Sequence, residues 1–156
     1  MDAFNQDEFY MRIALQEAQR AADAGEVPCG AVIVLDHQII GKAHNQTEML
    51  KDPTAHAEML AITQATEAVN NWRLNEATLY VTKEPCVMCA GALILSRIKR
   101  VVWGLSDPLR GGSSKFNILD QSDLNHAVEK VSGCLETPCK DIIQHFFKNR
   151  RAEHSE

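Results

Sequence analysis

The chain has 156 residues, 45% of them apolar, and sets 16 Lys and Arg against 21 Asp and Glu for a formal net charge of −5. That size and composition predict one globular domain over residues 1–156, with enough apolar material for a substantial core. No stretch approaches the apolar length that a membrane-spanning helix needs, and the acidic amino end M-D-A-F-N-Q-D-E-F has no apolar signal-type core. Five cysteines, four of them in the second half, do not make the even framework of a small secreted scaffold, so a reducing cytoplasm is the expected location. The acidic balance weighs mildly against a nucleic-acid partner unless the basic residues are gathered in one place.

In chain order, Asp7 to Ala24 predicts a helix with an apolar stripe of Phe9, Ile13, Leu15, Ala18 and Ala22, ended by Gly25. A-V-I-V-L (31–35), the turn Asp36-His37 and Q-I-I-G-K-A (38–43) predict a β-hairpin. Behind the helix breaker D-P-T (52–54), a second helix runs from His56 to Val69. T-L-Y-V-T (78–82) predicts a strand, Cys86 to Ser96 a helix, and R-V-V-W-G (100–104) another strand. Residues 105–126 predict a loop, Glu129–Val131 a strand, and Thr137 to Ala152 a closing helix. Strands alternate with helices from residue 56 to 104, the pattern of parallel strands with helices packed on the sheet faces, so the fold class is α/β.

Two short motifs fall on these elements. In K-E-P-C-V-M-C-A-G (83–91), Cys86 and Cys89 stand at i and i+3 and share one helix face. Pro85 suits a helix start, and the positive end of the dipole there favours thiolate. In T-A-H-A-E-M-L (54–60), His56 also opens a helix and Glu58 follows two residues later. Cys-x-x-Cys alone fits a redox pair or half a structural zinc site as readily as a catalytic one. With His56 it makes three ligands for Zn²⁺, one fewer than a structural site uses, which leaves a position for water. Two thiolates and an imidazole offset the metal's charge and acidify water weakly, so a nearby base is useful. Glu58, not a ligand, can take the water's proton, leave hydroxide on the metal and pass the proton to the substrate. That suits hydrolytic loss of ammonia from an amidine-like ring carbon.

H-A-E (56–58) followed by P-C-V-M-C (85–89) resembles the signature of the zinc-dependent nucleotide deaminases. The similarity continues through E-V-P-C-G-A-V (26–32), K-D-P-T-A-H-A-E (51–58), A-T-L-Y-V-T-K-E-P-C-V-M-C-A-G-A (77–92), S-R-I-K-R-V-V-W-G (96–104) and F-F-K-N-R-R (146–151). Over nearly the whole chain, it resembles the tRNA-specific adenosine deaminases. The resemblance implies a cytidine-deaminase-like fold, a three-layer α/β/α arrangement around a central mixed sheet of the five predicted strands. It also implies one Zn²⁺ per chain, a homodimer, and conversion of the wobble adenosine of a tRNA anticodon to inosine. It marks Asn45 as a contact to the target nucleoside and Asp107 as a loop residue near the anticodon backbone. The chain departs from the family in G-G-S-S-K-F-N-I-L (111–119), where Gly-Ala-x-Gly-Ser is usual, and at Cys29, where a small aliphatic residue is usual. Cys29, Cys134, Cys139 and His126 are expected to be structural.

A deaminase of free bases or nucleosides, of the guanine or cytosine type, shares the same machinery and is the alternative. A non-catalytic zinc-stabilised domain would leave Glu58 and the missing fourth ligand without a purpose. Charge placement favours RNA over a free base. Arg97, Lys99, Arg100, Arg110 and Lys115 stand against one acid, Asp107, and Lys148, Arg150 and Arg151 add to them near the carboxyl end.

Overall fold

A computed structural model describes residues 3–154. Met1 and Asp2, counted with the acidic amino end, lie outside the described residues. The elements are α1 (Ala3–Asp23), β1 (Gly30–Leu35), β2 (Gln38–His44), α2 (Thr47–Leu50), α3 (Ala57–Val69), β3 (Thr78–Lys83), α4 (Val87–Leu95), β4 (Arg100–Leu105), a 3-10 turn at Ile118–Asp120, β5 (Glu129–Val131) and α5 (Glu136–His154). One five-stranded sheet runs in the order β2-β1-β3-β4-β5. β1 is antiparallel to β2 and β3, whereas β3, β4 and β5 are parallel. The sheet is mixed, as expected.

Alternation along each buried strand sends side chains to two cores. On one face Ile33, Leu79, Val81, Val101 and Trp103 meet Ala57, Ala61 and Ala65 of α3 and Ala90, Leu93 and Ile94 of α4. On the other, Val32, Val34, Tyr80 and Val102 meet Tyr10, Met11 and Ala14 of α1 and Cys139 of α5. The molecule is therefore three layers, α/β/α. Each wholly buried Leu, Ile or Val contributes roughly 1.5–3 kcal/mol of hydrophobic stabilisation. Among the described residues no helix is long and apolar enough to cross a membrane.

Local signals explain the turns. Asp36 and His37 both take positive φ, 50° and 63°, as a two-residue hairpin of type I′ demands. Gly25, at φ 79°, closes α1 in the left-handed region that favours glycine.

Two expectations need correction. The apolar face of α1 is Tyr10, Met11, Ala14, Ala18 and Ala21, with Asp7 and Glu17 buried among them, while Phe9 is 51% exposed. The true stripe follows the helical period, but two carboxylates interrupt it, and a hydropathy reading turned the helix toward Phe9 instead. The other correction is Thr47–Leu50, a short helix that the sequence reading missed.

Candidate active site

The site forms at the carboxyl ends of the parallel strands. β3 runs into Glu84, Pro85 and Cys86, and Cys86 caps α4 with an extended backbone. His56 caps α3 in the same conformation. Both residues thus stand one position earlier than the helix interior, with their carbonyls accepting the first helical bonds from Ala90 (2.8 Å) and Leu60 (3.1 Å). The turn that delivers His56 is fixed by Asp52, whose Oδ1 accepts the Thr54 N–H at 2.8 Å and hydroxyl at 2.7 Å. Cap and third-residue side chains meet at a helix start, which brings Cys86 to Cys89.

His56 Nδ1 lies 3.6 Å from both Cys86 Sγ and Cys89 Sγ. Tetrahedral zinc, with bonds of about 2.3 Å to sulfur and about 2.0–2.1 Å to nitrogen, separates such atoms by roughly 3.6 Å. These three are the one His, Cys, Asp and Glu cluster of metal-ligating spacing among the described residues. The donors and their spacing fit Zn²⁺. Cys86 is pushed down to about 3 by its hydrogen bond with Cys89, while the same bond and burial push Cys89 well up, so the first proton leaves Cys86. The Cys86 contact in turn raises His56.

Glu58 is 3% exposed, and burial raises its pKa above the ordinary carboxylate value. It lines a cleft of about 390 Å³ together with Asn45, His56, Cys86, Asp107 and Cys29. Cys29 Sγ lies 3.9 Å from Glu58 Oε1, and burial followed by that carboxylate pushes the thiol well up. A thiol at this wall stays neutral.

Two buried carboxylates outside the sequence reading shape the walls. Glu26 accepts N–H bonds from Glu48 (2.9 Å) and Met49 (2.8 Å) and so holds α2 beside Asn45. Glu84 accepts N–H bonds from Asp107 (3.0 Å), Ser113 (3.0 Å) and Ser114 (2.7 Å), and the Ser114 hydroxyl at 2.6 Å. It is the hub of the loop after β4. A Cβ at Gly111 would overlap the Glu84 carboxylate, so glycine at 111 is what lets the loop close on it. An acid directly before the Pro-Cys motif was the available signal for Glu84.

The expected RNA contacts divide. Phe147 of α5 lines the cleft, and Lys148 and Arg151 line a shallow groove that shares this phenylalanine. Arg150 points to the other side, its guanidinium 5.2 Å from the Phe146 ring, in a groove against α1. Nor do the basic residues from 97 to 115 form one patch. Arg100 is spent on Asp7 in two bonds of 2.8 and 2.7 Å, Lys99 on Glu76 at 2.8 Å, and Arg97 on the Ile94 carbonyl at 2.8 Å. All three stand at the opposite end of β4. His126 bonds the Ile98 carbonyl at 2.6 Å, a structural place. Cys134 and Cys139 are free thiols, raised by burial to about 11 and about 12.

The MafB19-like deaminase family model matches residues 4–151. The chain is 50% identical over 147 residues to a tRNA-specific adenosine deaminase of Bacillus subtilis, covering 94% of this chain and 91% of that protein. It is 50% identical over 145 residues to the protein of the same name in Aquifex aeolicus, covering 92% and 95%. The chain belongs to this deaminase family. A solved structure from work on A-to-I editing by tRNA deaminases at the wobble position superposes with a TM-score of 0.83 at 43% identity, covering 86% of this chain and 98% of that one. In a chain of this family, His56, Cys86 and Cys89, spaced as metal ligands, stand with Glu58 beside one cleft, and Glu84 lines that cleft with them.

Proposed function

We propose that the protein hydrolytically deaminates adenosine to inosine at the wobble position of a tRNA anticodon, with one zinc per chain. What carries the reading is a buried, non-ligating Glu58 beside three metal-type ligands in an open cleft, joined to the family membership just given. Zinc, when held by His56, Cys86 and Cys89, supplies Lewis acidity that makes water a competent nucleophile near neutral pH. Glu58 Oε takes a proton from the attacking water. It gives that proton to the adenine ring nitrogen, then takes the second from the hydroxyl now on the ring carbon and passes it to the departing amine, so that water and adenosine leave as inosine and ammonia. Burial suits it to this shuttle by favouring the protonated form between transfers. Asn45, 8% exposed on the cleft wall, holds the nucleoside. Asp107, Lys148 and Arg151 meet the surrounding RNA. A loop base is already partly unstacked, which lowers the cost of presenting it.

Thiols free of disulfides suit a cytoplasmic enzyme. A homodimer is supported by the outer face of α4, where Val87 is 46% and Leu95 71% exposed; Leu95→Glu should shift sedimentation toward monomer. The deciding experiment compares inosine formation in tRNA with ammonia release from free adenosine, guanine and cytosine, alongside zinc analysis. Turnover of tRNA and loss of zinc in Cys86→Ala are expected. Efficient turnover of a free base with none of tRNA would move the protein to the alternative class.

A further inference from the structure

Lys83 and Arg110 are the two Lys or Arg residues lining the cleft, and they come from different elements. Lys83 ends β3, and its side chain is 37% exposed. Arg110 belongs to the loop after β4. One carboxylate brings them to the same lip. Asp107 Oδ2 pairs with Lys83 Nζ at 3.3 Å, and Asp107 Oδ1 accepts the N–H of Arg110 at 3.0 Å and of Leu109 at 3.1 Å. Asp107 is itself held through its N–H on Glu84.

The electrostatics then differ from what a count of charges suggests. Glu84 is spent on four donors, and Asp107 on two N–H groups and a lysine. Burial opposes ionisation of Asp107, but the Arg110 and Leu109 N–H groups and Lys83 prevail and hold its carboxyl below the ordinary value. Among the described residues, the guanidinium of Arg110 has neither a hydrogen bond nor an ion pair, unlike Arg97 and Arg100. Lys83 has further N–H donors beyond the one aimed at Asp107. An open rim thus carries an uncommitted fork of donors beside a half-exposed ammonium, above a site for an uncharged base.

We propose that Lys83 and Arg110 are a phosphate-binding pair, gripping the RNA backbone that flanks the nucleoside in the cleft. The inference rests on the RNA reading above. Arg110 takes a phosphate in the bidentate manner of a guanidinium, and Lys83 turns from Asp107 to share it. The pair offsets the repulsion that Glu58 and Asp107 would exert on a polyanion.

The test is binding of the zinc-loaded protein to a short RNA hairpin with adenosine in its loop, followed by fluorescence anisotropy across a KCl series. Lys83→Ala and Arg110→Ala should each weaken binding about 3–10-fold and reduce the salt slope by about 1. Lys83→Arg should restore both. Methylphosphonates at the loop phosphates should abolish the difference between variant and wild type. Lys99→Ala, at the far end of the sheet, is the control. The proposal is overturned if the two alanine variants keep the wild-type affinity and slope. It is equally overturned if Lys83→Ala adds nothing to Asp107→Ala, since Lys83 would then only position that carboxylate. Inosine formation, measured on the same proteins, separates the two ideas. Wild type that edits tRNA with unaltered variants refutes the pair alone, whereas RNA gripped by the pair without editing refutes the reaction alone.

Discussion

Glu58 sits two residues beyond a metal-type ligand, yet its own environment is protein rather than solvent. It is 3% exposed, with the Cys29 thiol 3.9 Å from one oxygen. In the proposed reaction this group acts through proton transfer, and only that is lost when its carboxylate becomes an amide. Glu58→Gln should keep fold and zinc content while lowering kcat by about 10²–10⁴-fold or more, since general acid–base catalysis is worth that much. Single-turnover inosine formation beside metal analysis checks it. A variant retaining a tenth of the wild-type rate would remove Glu58 from this role.

Among the elements, α5 and the loop after β4 each divide by face. On α5, Phe147, Lys148 and Arg151 turn toward the cleft side, while Phe146 and Arg150 turn toward α1. Replacing Lys148 or Arg151 by alanine should reduce the salt slope of tRNA binding by about 0.7–0.9 each, the value of one released counterion. Arg150→Ala should leave it unchanged. Equal effects of all three would show that the helix is read as a diffuse charge. In the loop, Gly111→Ala forces a methyl against the buried Glu84 carboxylate. Overpacking of this kind costs about 1–3 kcal/mol. Thermal unfolding should show that loss, and the Ser113 and Ser114 amides, which donate to Glu84, should exchange faster.

Across the whole molecule, Asp7 of α1 ties the outer layer to the sheet. Its carboxylate takes both bonds of Arg100, 93 residues away, and the Tyr80 hydroxyl at 2.9 Å. Burial opposes ionisation here, but the Arg100 and Tyr80 bonds prevail and hold the pKa below the ordinary value. An unfolded Asp titrates near 3.9, so this group's stabilisation is complete above about pH 4 and is lost as pH falls through the lower folded value. Asp7→Asn leaves Arg100 with only the exposed Glu129 carboxylate, 4.0 Å away, as counter-charge. It should cost about 3 kcal/mol at pH 7 by urea unfolding, and the gap to wild type should narrow as pH drops below about 4. A constant gap would mean that the pair contributes shape rather than charge.

The sequence by itself determined which residues are of metal-ligating type, the order of the longer elements and the hairpin turn, because each is carried by a signal only a few residues long. His56 and Cys86 precede helices in any fold that keeps those helices, and Asp36-His37 carries its turn locally. The tertiary structure alone decided which charges remain free. Arg100 reads as an RNA contact until Asp7 is folded against it, and Lys99 until Glu76 is. Glu26 and Glu84 read as surface acids, yet each is buried where loop N–H groups converge. The same blindness to paired, buried carboxylates rotated α1 in the sequence reading. Burial and charge pairing are properties of residues distant in sequence, and hydropathy assigns every carboxylate to water until its partners are known.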